Sequence, residues 1–149
     1  MGVIGVFAPE DSGLLGLVTQ VCSIIAGGNT CVVLASEHLP LCAISFSEVI
    51  ATSDVPNGVV NILTGKIAEL NAVFASHMNV NALLYCGSDT AVIKTIQDLA
   101  VDNIKRVIIR ENSDYADEKH ENLHYIYDFQ ETKTTWHPIE QIGGAGSGY

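Results

Sequence analysis

Apolar residues along this chain follow two rhythms that take turns. Five short runs, "GVIGVFA" (2–8), "TCVVLA" (30–35), "VVNIL" (59–63), "VNALLYC" (80–86) and "KRVIIR" (105–110), have the length and β-branched content of strands buried on both faces. Between them the spacing turns helical. In "SGLLGLVTQVCSIIAGG" (12–28), Leu14, Leu17, Val18, Val21, Ile24 and Ile25 share one face, and the pair Gly27–Gly28 marks a helix end. "PLCAISFSEVIATS" (40–53) opens on Pro40, which suits a first helical turn, and "KIAELNAVFASH" (66–77) and "DTAVIKTIQDLAVD" (89–102) continue the series.

Five strands interleaved with four helices predict an α/β domain over residues 1–110: a doubly wound, parallel five-stranded sheet of Rossmann-like type. Beyond Arg110 the rhythm stops. An acidic stretch, "ENSDYADEKHEN", leads to "NLHYIYDF" (122–129) and "TKTTWHPI" (132–139), two β-prone segments that fit no further βα unit. They predict a C-terminal β extension over 111–142 that pairs with a sheet outside this core. The closing "GGAGSGY" (143–149) has the composition of a flexible tail.

Composition narrows the partners. The 149 residues are 48% hydrophobic and 16% charged, enough apolar material for one sizeable core. A formal charge of -10 repels phosphate backbones and anionic membrane surfaces, so neither nucleic acid nor membrane is an expected partner. No apolar run reaches the roughly 18 residues of a membrane span, and the start "MGVIGVFAPED" lacks a basic leader region. Cys22, Cys31, Cys42 and Cys86 lie inside apolar elements without metal-ligand spacing, which predicts free thiols and a cytoplasmic location.

Ligands of open α/β sheets bind at the carboxyl ends of the strands, here the turns after Ala8, Ala35, Leu63 and Cys86. No G-x-G-x-x-G follows the first strand; "APEDSG" stands there, with two carboxylates that oppose a pyrophosphate. In "CGSDTA", Gly87 allows close approach to the backbone and Ser88 is placed as a helix N-cap within reach of phosphate, the alternative being a cap and nothing more. Glu37 in "LASEHLP" is placed either to accept from ribose hydroxyls or to face solvent, and Gly65 closes the turn after "VVNIL". The five histidines show no metal-pair spacing, and neither a G-x-S-x-G nor a phosphate loop occurs.

Taken in order, residues 2–41, "SDVPNGVVNILTG" (53–65), "YCGSDTAVI" (85–93) and "NIKRVII" resemble the cofactor-binding domain of the aldehyde dehydrogenase superfamily. Within it the chain is most similar to the truncated second domain of the family-sixteen enzymes, which also end in a K-x-x-W-x-P strand, here Lys133, Trp136 and Pro138. Most of what that resemblance implies is loss. The oxyanion-binding Asn corresponds to Asp11, the preceding Trp to Glu10, the ribose-binding Lys to Leu34 and the glutamate general base to Arg110, which cannot accept a proton. Glu37, Gly87 and Ser88 survive, while a helix glycine is replaced by Val92. No cysteine follows Arg110 to serve as the nucleophile.

Two functions follow from the resemblance. One is a non-catalytic domain kept for assembly as a homo-oligomer, or for docking on an aldehyde dehydrogenase chain, through a terminal strand carrying Thr134, Thr135 and Trp136. The other is a module that still binds NAD through Glu37, Gly65, Gly87 and Ser88. An independent enzyme is the weakest implication, and Trp136 is expected to anchor a core or an interface.

Overall fold

The computed structural model describes residues 1–111 and 114–136. Strands β1 (Val3–Phe7), β2 (Thr30–Leu34), β3 (Val60–Leu63), β4 (Ala82–Tyr85) and β5 (Arg106–Ile109) alternate with helices α1 (Leu15–Ala26), α2 (Pro40–Ala51), α3 (Ile67–Ser76) and α4 (Thr90–Ala100). All strands run parallel in the order β3-β2-β1-β4-β5. Register is set from the centre outward: Val3 to Phe7 pair with Thr30 to Leu34 on one side, and Ile4 to Phe7 with Ala82 to Tyr85 on the other.

Side chains that alternate along the strands divide the core in two. Ile4, Val6, Cys31, Val33, Ala82 and Leu84 face α1 and α2, where Leu17, Val21, Ile24 and Ala43 meet them. Phe7, Leu34, Leu83 and Tyr85 face α3 and α4 and pack on Phe74, Ala75 and Ile96. Gly5 is required on that second face: a Cβ there would stand 2.7 Å from Leu83 and 2.9 Å from Phe74, so the glycine lets α3 approach the sheet. α1 ends at Gly27, and Gly28 takes φ +77, a left-handed conformation that costs a residue with a Cβ.

The winding leaves one area of sheet bare. α1 and α2 lie on the β1-β2-β3 side of their face, and both later helices lie on the opposite face, so the underside of β4 and β5 has no helix from the βα rhythm. The segment after β5 covers it. Phe129 is fully buried with Leu84, Cys86 and Leu17, and Tyr115 is buried as well. The backbone there is tied down by three side chains. Asn29, itself buried, donates to the Phe129 carbonyl at 3.1 Å and accepts from the Gly2 N–H at 3.0 Å. Gln130 donates to the Gly27 carbonyl at 2.7 Å, and Arg106 to the carbonyls of Asp128 and Gln130 at 2.7 and 2.9 Å.

This segment corrects the expected β extension. Over its described part it holds a 3-10 turn at Glu118–His120 and a short helix α5 (His124–Tyr127), where "NLHYIYDF" predicts a strand. The β propensity of Tyr125, Ile126 and Tyr127 is overridden by the packing of this turn against α1, while Asn122 Oδ1 caps the turn by accepting from the His124 N–H at 2.9 Å. Thr132 to Trp136 are exposed and carry no strand, and the rest of "TKTTWHPI" and the 143–149 tail lie outside the described residues. Trp136 is no core anchor: it is 90% exposed.

Replacing Phe129 by Ala should remove the aromatic that closes the β4–β5 underside. It should lower unfolding free energy by roughly 3–5 kcal/mol, read as a lower urea midpoint. A loss under about 1 kcal/mol would mean that the segment does not close the core.

Candidate functional site

The strand order reverses direction between β1 and β4, and the carboxyl ends of those strands open onto a cleft between α3 and α4 of about 440 Å³. Glu10, from the turn after β1, reaches across to the turn after β2. Its carboxylate accepts from Ser36 Oγ at 2.8 Å, from the backbone N–H of Glu37 at 3.1 Å and of His38 at 3.2 Å, and stands 3.1 Å from His38 Nδ1. Glu37 accepts from the N–H of Ile67, the first residue of α3, at 2.6 Å. Asp89 accepts from Ala91 N–H at 2.8 Å and Val92 N–H at 3.4 Å, closing the start of α4. Each group of N–H donors facing the cleft thus holds a carboxylate of the chain itself.

The residues expected to touch a cofactor fall around this cleft with altered roles. Asp89, not Ser88, is the N-cap of α4; Ser88 stands one residue before it, exposed. The backbone makes the choice: Asp89 is extended (φ -68, ψ 110) directly before Thr90, the first residue of α4, and its charge also meets the positive end of the helix. Gly87 stands against the Tyr85 ring. A Cβ at this position would lie 2.6 Å from Tyr85 Oη, so the missing side chain accommodates the Tyr85 ring. Gly65 similarly makes way for Leu70 of α3, whose Cδ1 would be 2.9 Å from a Cβ there. Glu37 lies at the cleft, with one oxygen engaged by α3.

At the next carboxyl end, after β5, Arg110 is locked. It donates through Nη1 to Gln20 Oε1 and through Nη2 to Asp128 Oδ2 at 2.7 Å, and its guanidinium lies 3.8 Å over the Tyr125 ring. Below it Cys86 is buried, and burial pushes its thiol up to about 12, against the opposing influence of Tyr115 and Arg110. Burial likewise pushes Cys31 up to about 12 and raises Tyr115. All four cysteines are free; Cys22 is exposed, on α1, and its thiol is also raised by burial. Its surroundings, Gly28, Asn29 and Thr30, belong to the end of the sheet opposite the cleft.

The sequence profile of the aldehyde dehydrogenase family matches residues 1–111, about three quarters of the chain. The chain belongs to the aldehyde dehydrogenase family. It is 33% identical over 107 residues to aldehyde dehydrogenase family 2 member C4 of Arabidopsis thaliana, covering 72% of this chain and 21% of that protein. It is 34% identical over 110 residues to the cytosolic aldehyde dehydrogenase 1 of Elephantulus edwardii, covering 73% and 22%. A mutant aldehyde dehydrogenase C of Pseudomonas syringae, solved with NAD+ and octanal, superposes with a TM-score of 0.70 at 27% identity over 75% of this chain and 23% of that one. The chain thus spans about a fifth of the length of these relatives.

NAD is the cofactor this kinship implies, and the residues at the cleft do not fit it. A pyrophosphate needs free N–H donors at a helix start, and those of α4 are held by Asp89 while Glu10 and Glu37 add negative charge nearby. Two groups escaped the sequence reading. Gln20 was legible as a lone amide among Leu17, Val21 and Ile24 on the buried face of α1. Asp128 gave no such signal, since only the fold of the last segment brings it to Arg110.

Arg110→Glu, which places the glutamate that the resemblance assigns to this position, should destabilise the chain by at least about 2 kcal/mol, because it sets a carboxylate against Asp128 and leaves Gln20 Oε1 and Asp128 without their donor. An unchanged thermal midpoint would contradict the anchoring role. The buried thiols set an alkaline limit. In the unfolded chain Cys31 and Cys86 ionise near the ordinary value of 9.0, whereas in the fold they keep their protons to about 12. The native state therefore binds more protons in that window, and stability falls as pH rises from about 9. Unfolding free energies from urea titrations at pH 8 and pH 10 should differ by about 1–3 kcal/mol, and Cys31→Ala with Cys86→Ala should remove most of the difference.

Proposed function

We propose that this chain is a non-catalytic aldehyde-dehydrogenase-like domain that works by assembly, either with further copies of itself or by docking on an aldehyde dehydrogenase chain. The observation that carries the first half is Arg110. The place where the family resemblance puts a proton-accepting glutamate holds a cation fixed by Asp128, Gln20 and the Tyr125 ring, and a guanidinium cannot act as a general base. Beside it the Cys86 thiol is held protonated by burial, which removes its value as a nucleophile at neutral pH.

The assembly half draws on the surface. β3 and β5 are the two edges of the sheet, and Thr132 to Trp136, including Thr134 and Thr135, are exposed. A large indole 90% exposed to water favours a partner that covers it. The narrower likeness to the second domain of family-sixteen enzymes, through Lys133, Trp136 and Pro138, supports the same use of this segment. Free thiols throughout suit a reducing compartment such as the cytoplasm.

Trp136 is the single tryptophan of the chain, so its fluorescence reads the interface directly. Light scattering at micromolar concentration should give at least about twice the 15.9 kDa chain mass. Emission should shift to longer wavelength on dilution, and Trp136→Ser should return a monomer. A clean monomer, alone and with an added aldehyde dehydrogenase, whose emission is that of free tryptophan at every concentration, would end this reading.

A further inference from the structure

We infer that the α3–α4 cleft is closed to phosphorylated nucleotides by the chain's own carboxylates, which already hold backbone N–H donors of the kind that bind phosphate. The inference is independent of whether the domain self-associates. Three sets of backbone N–H groups face the cleft, and each belongs to a different element: the turn at 36–38, the start of α3 and the start of α4. Each is matched by one carboxylate. Glu10 takes the first at 3.1 and 3.2 Å, Glu37 the second at 2.6 Å and Asp89 the third at 2.8 and 3.4 Å.

The geometry makes this more than a surplus of acid. Glu10 and Glu37 do not cap their own elements; each reaches 27 or 30 residues along the chain to satisfy donors in another turn. Asp89 is a local cap, but on the one helix whose start adjoins both the switch point and the Tyr85 ring that fills the space above Gly87. A pyrophosphate at the start of α4 would have to displace Asp89 from two N–H groups and then remain among like charges. Nothing in that exchange is gained, because a carboxylate and a phosphate compete for the same donors with the same sign of charge. An uncharged nucleoside meets no such opposition.

The test is calorimetric titration of the full chain with NAD and, separately, with adenosine. Wild type should give no NAD signal up to about 1 mM. Asp89→Ser combined with Glu10→Gln keeps a cap on α4 and removes two charges, and should raise NAD affinity by at least about tenfold while leaving adenosine unchanged within about twofold. Circular dichroism shows that the variant is folded; if it is not, Asp89→Asn alone, an equally good cap, is titrated in its place. Micromolar NAD binding by wild type would overturn the inference. So would variants that are folded yet as silent as wild type, or an equal gain for adenosine, since either would show that charge is not what excludes the phosphates.

Discussion

A parallel sheet has to be covered on both faces, and in this chain the four crossover helices leave part of one face uncovered. The βα rhythm places α1 and α2 under β1, β2 and β3, and α3 and α4 on the other face, so β4 and β5 would meet water on the α1 side. What settles the matter is the segment after β5. Phe129 enters the gap, Tyr115 follows it, and Arg110 holds the segment through Asp128 while Asn29 and Gln130 stitch it to the end of α1. The packing converts a sheet with an exposed flank into a closed domain.

That closure and the chemistry of the family compete for the same ground. Arg110 leaves β5 at the carboxyl end of the sheet, where a working enzyme would need a group free to take a proton. Here its guanidinium is stacked and bidentate in effect, with Gln20 and Asp128 as acceptors. The thiol beneath it is buried, and the tyrosine beside that thiol is raised by the same burial. On the opposite side of the carboxyl edge, Glu10, Glu37 and Asp89 hold backbone N–H groups of the turn at 36–38, of α3 and of α4.

Much of this was legible in residue order. Periodicity placed all nine elements of the sheet and its helices, and their sequence alone required a parallel, doubly wound arrangement, because a crossover helix returns the next strand in the same direction. "APEDSG" already showed carboxylates where a phosphate loop would be. The roles inside the cleft were less legible. Ser88 and Asp89 are adjacent and both good caps, and only backbone geometry chooses between them. At Gly87 the sequence shows a missing side chain, while the fold shows the Tyr85 ring packed against that position.

The chain order by itself determined the strands, the helices and the acidic character of the carboxyl edge, since each follows from local spacing or composition. The tertiary structure decided what happens after Arg110. "NLHYIYDF" is β-prone in isolation, yet it becomes a helical turn because the bare underside of β4 and β5 buries Phe129 and the turn packs against α1. It also decided the partners of Arg110 and the reach of Glu10 and Glu37, which join positions 18 to 90 residues apart. No local pattern encodes such pairs; they exist only once the sheet has brought its turns together.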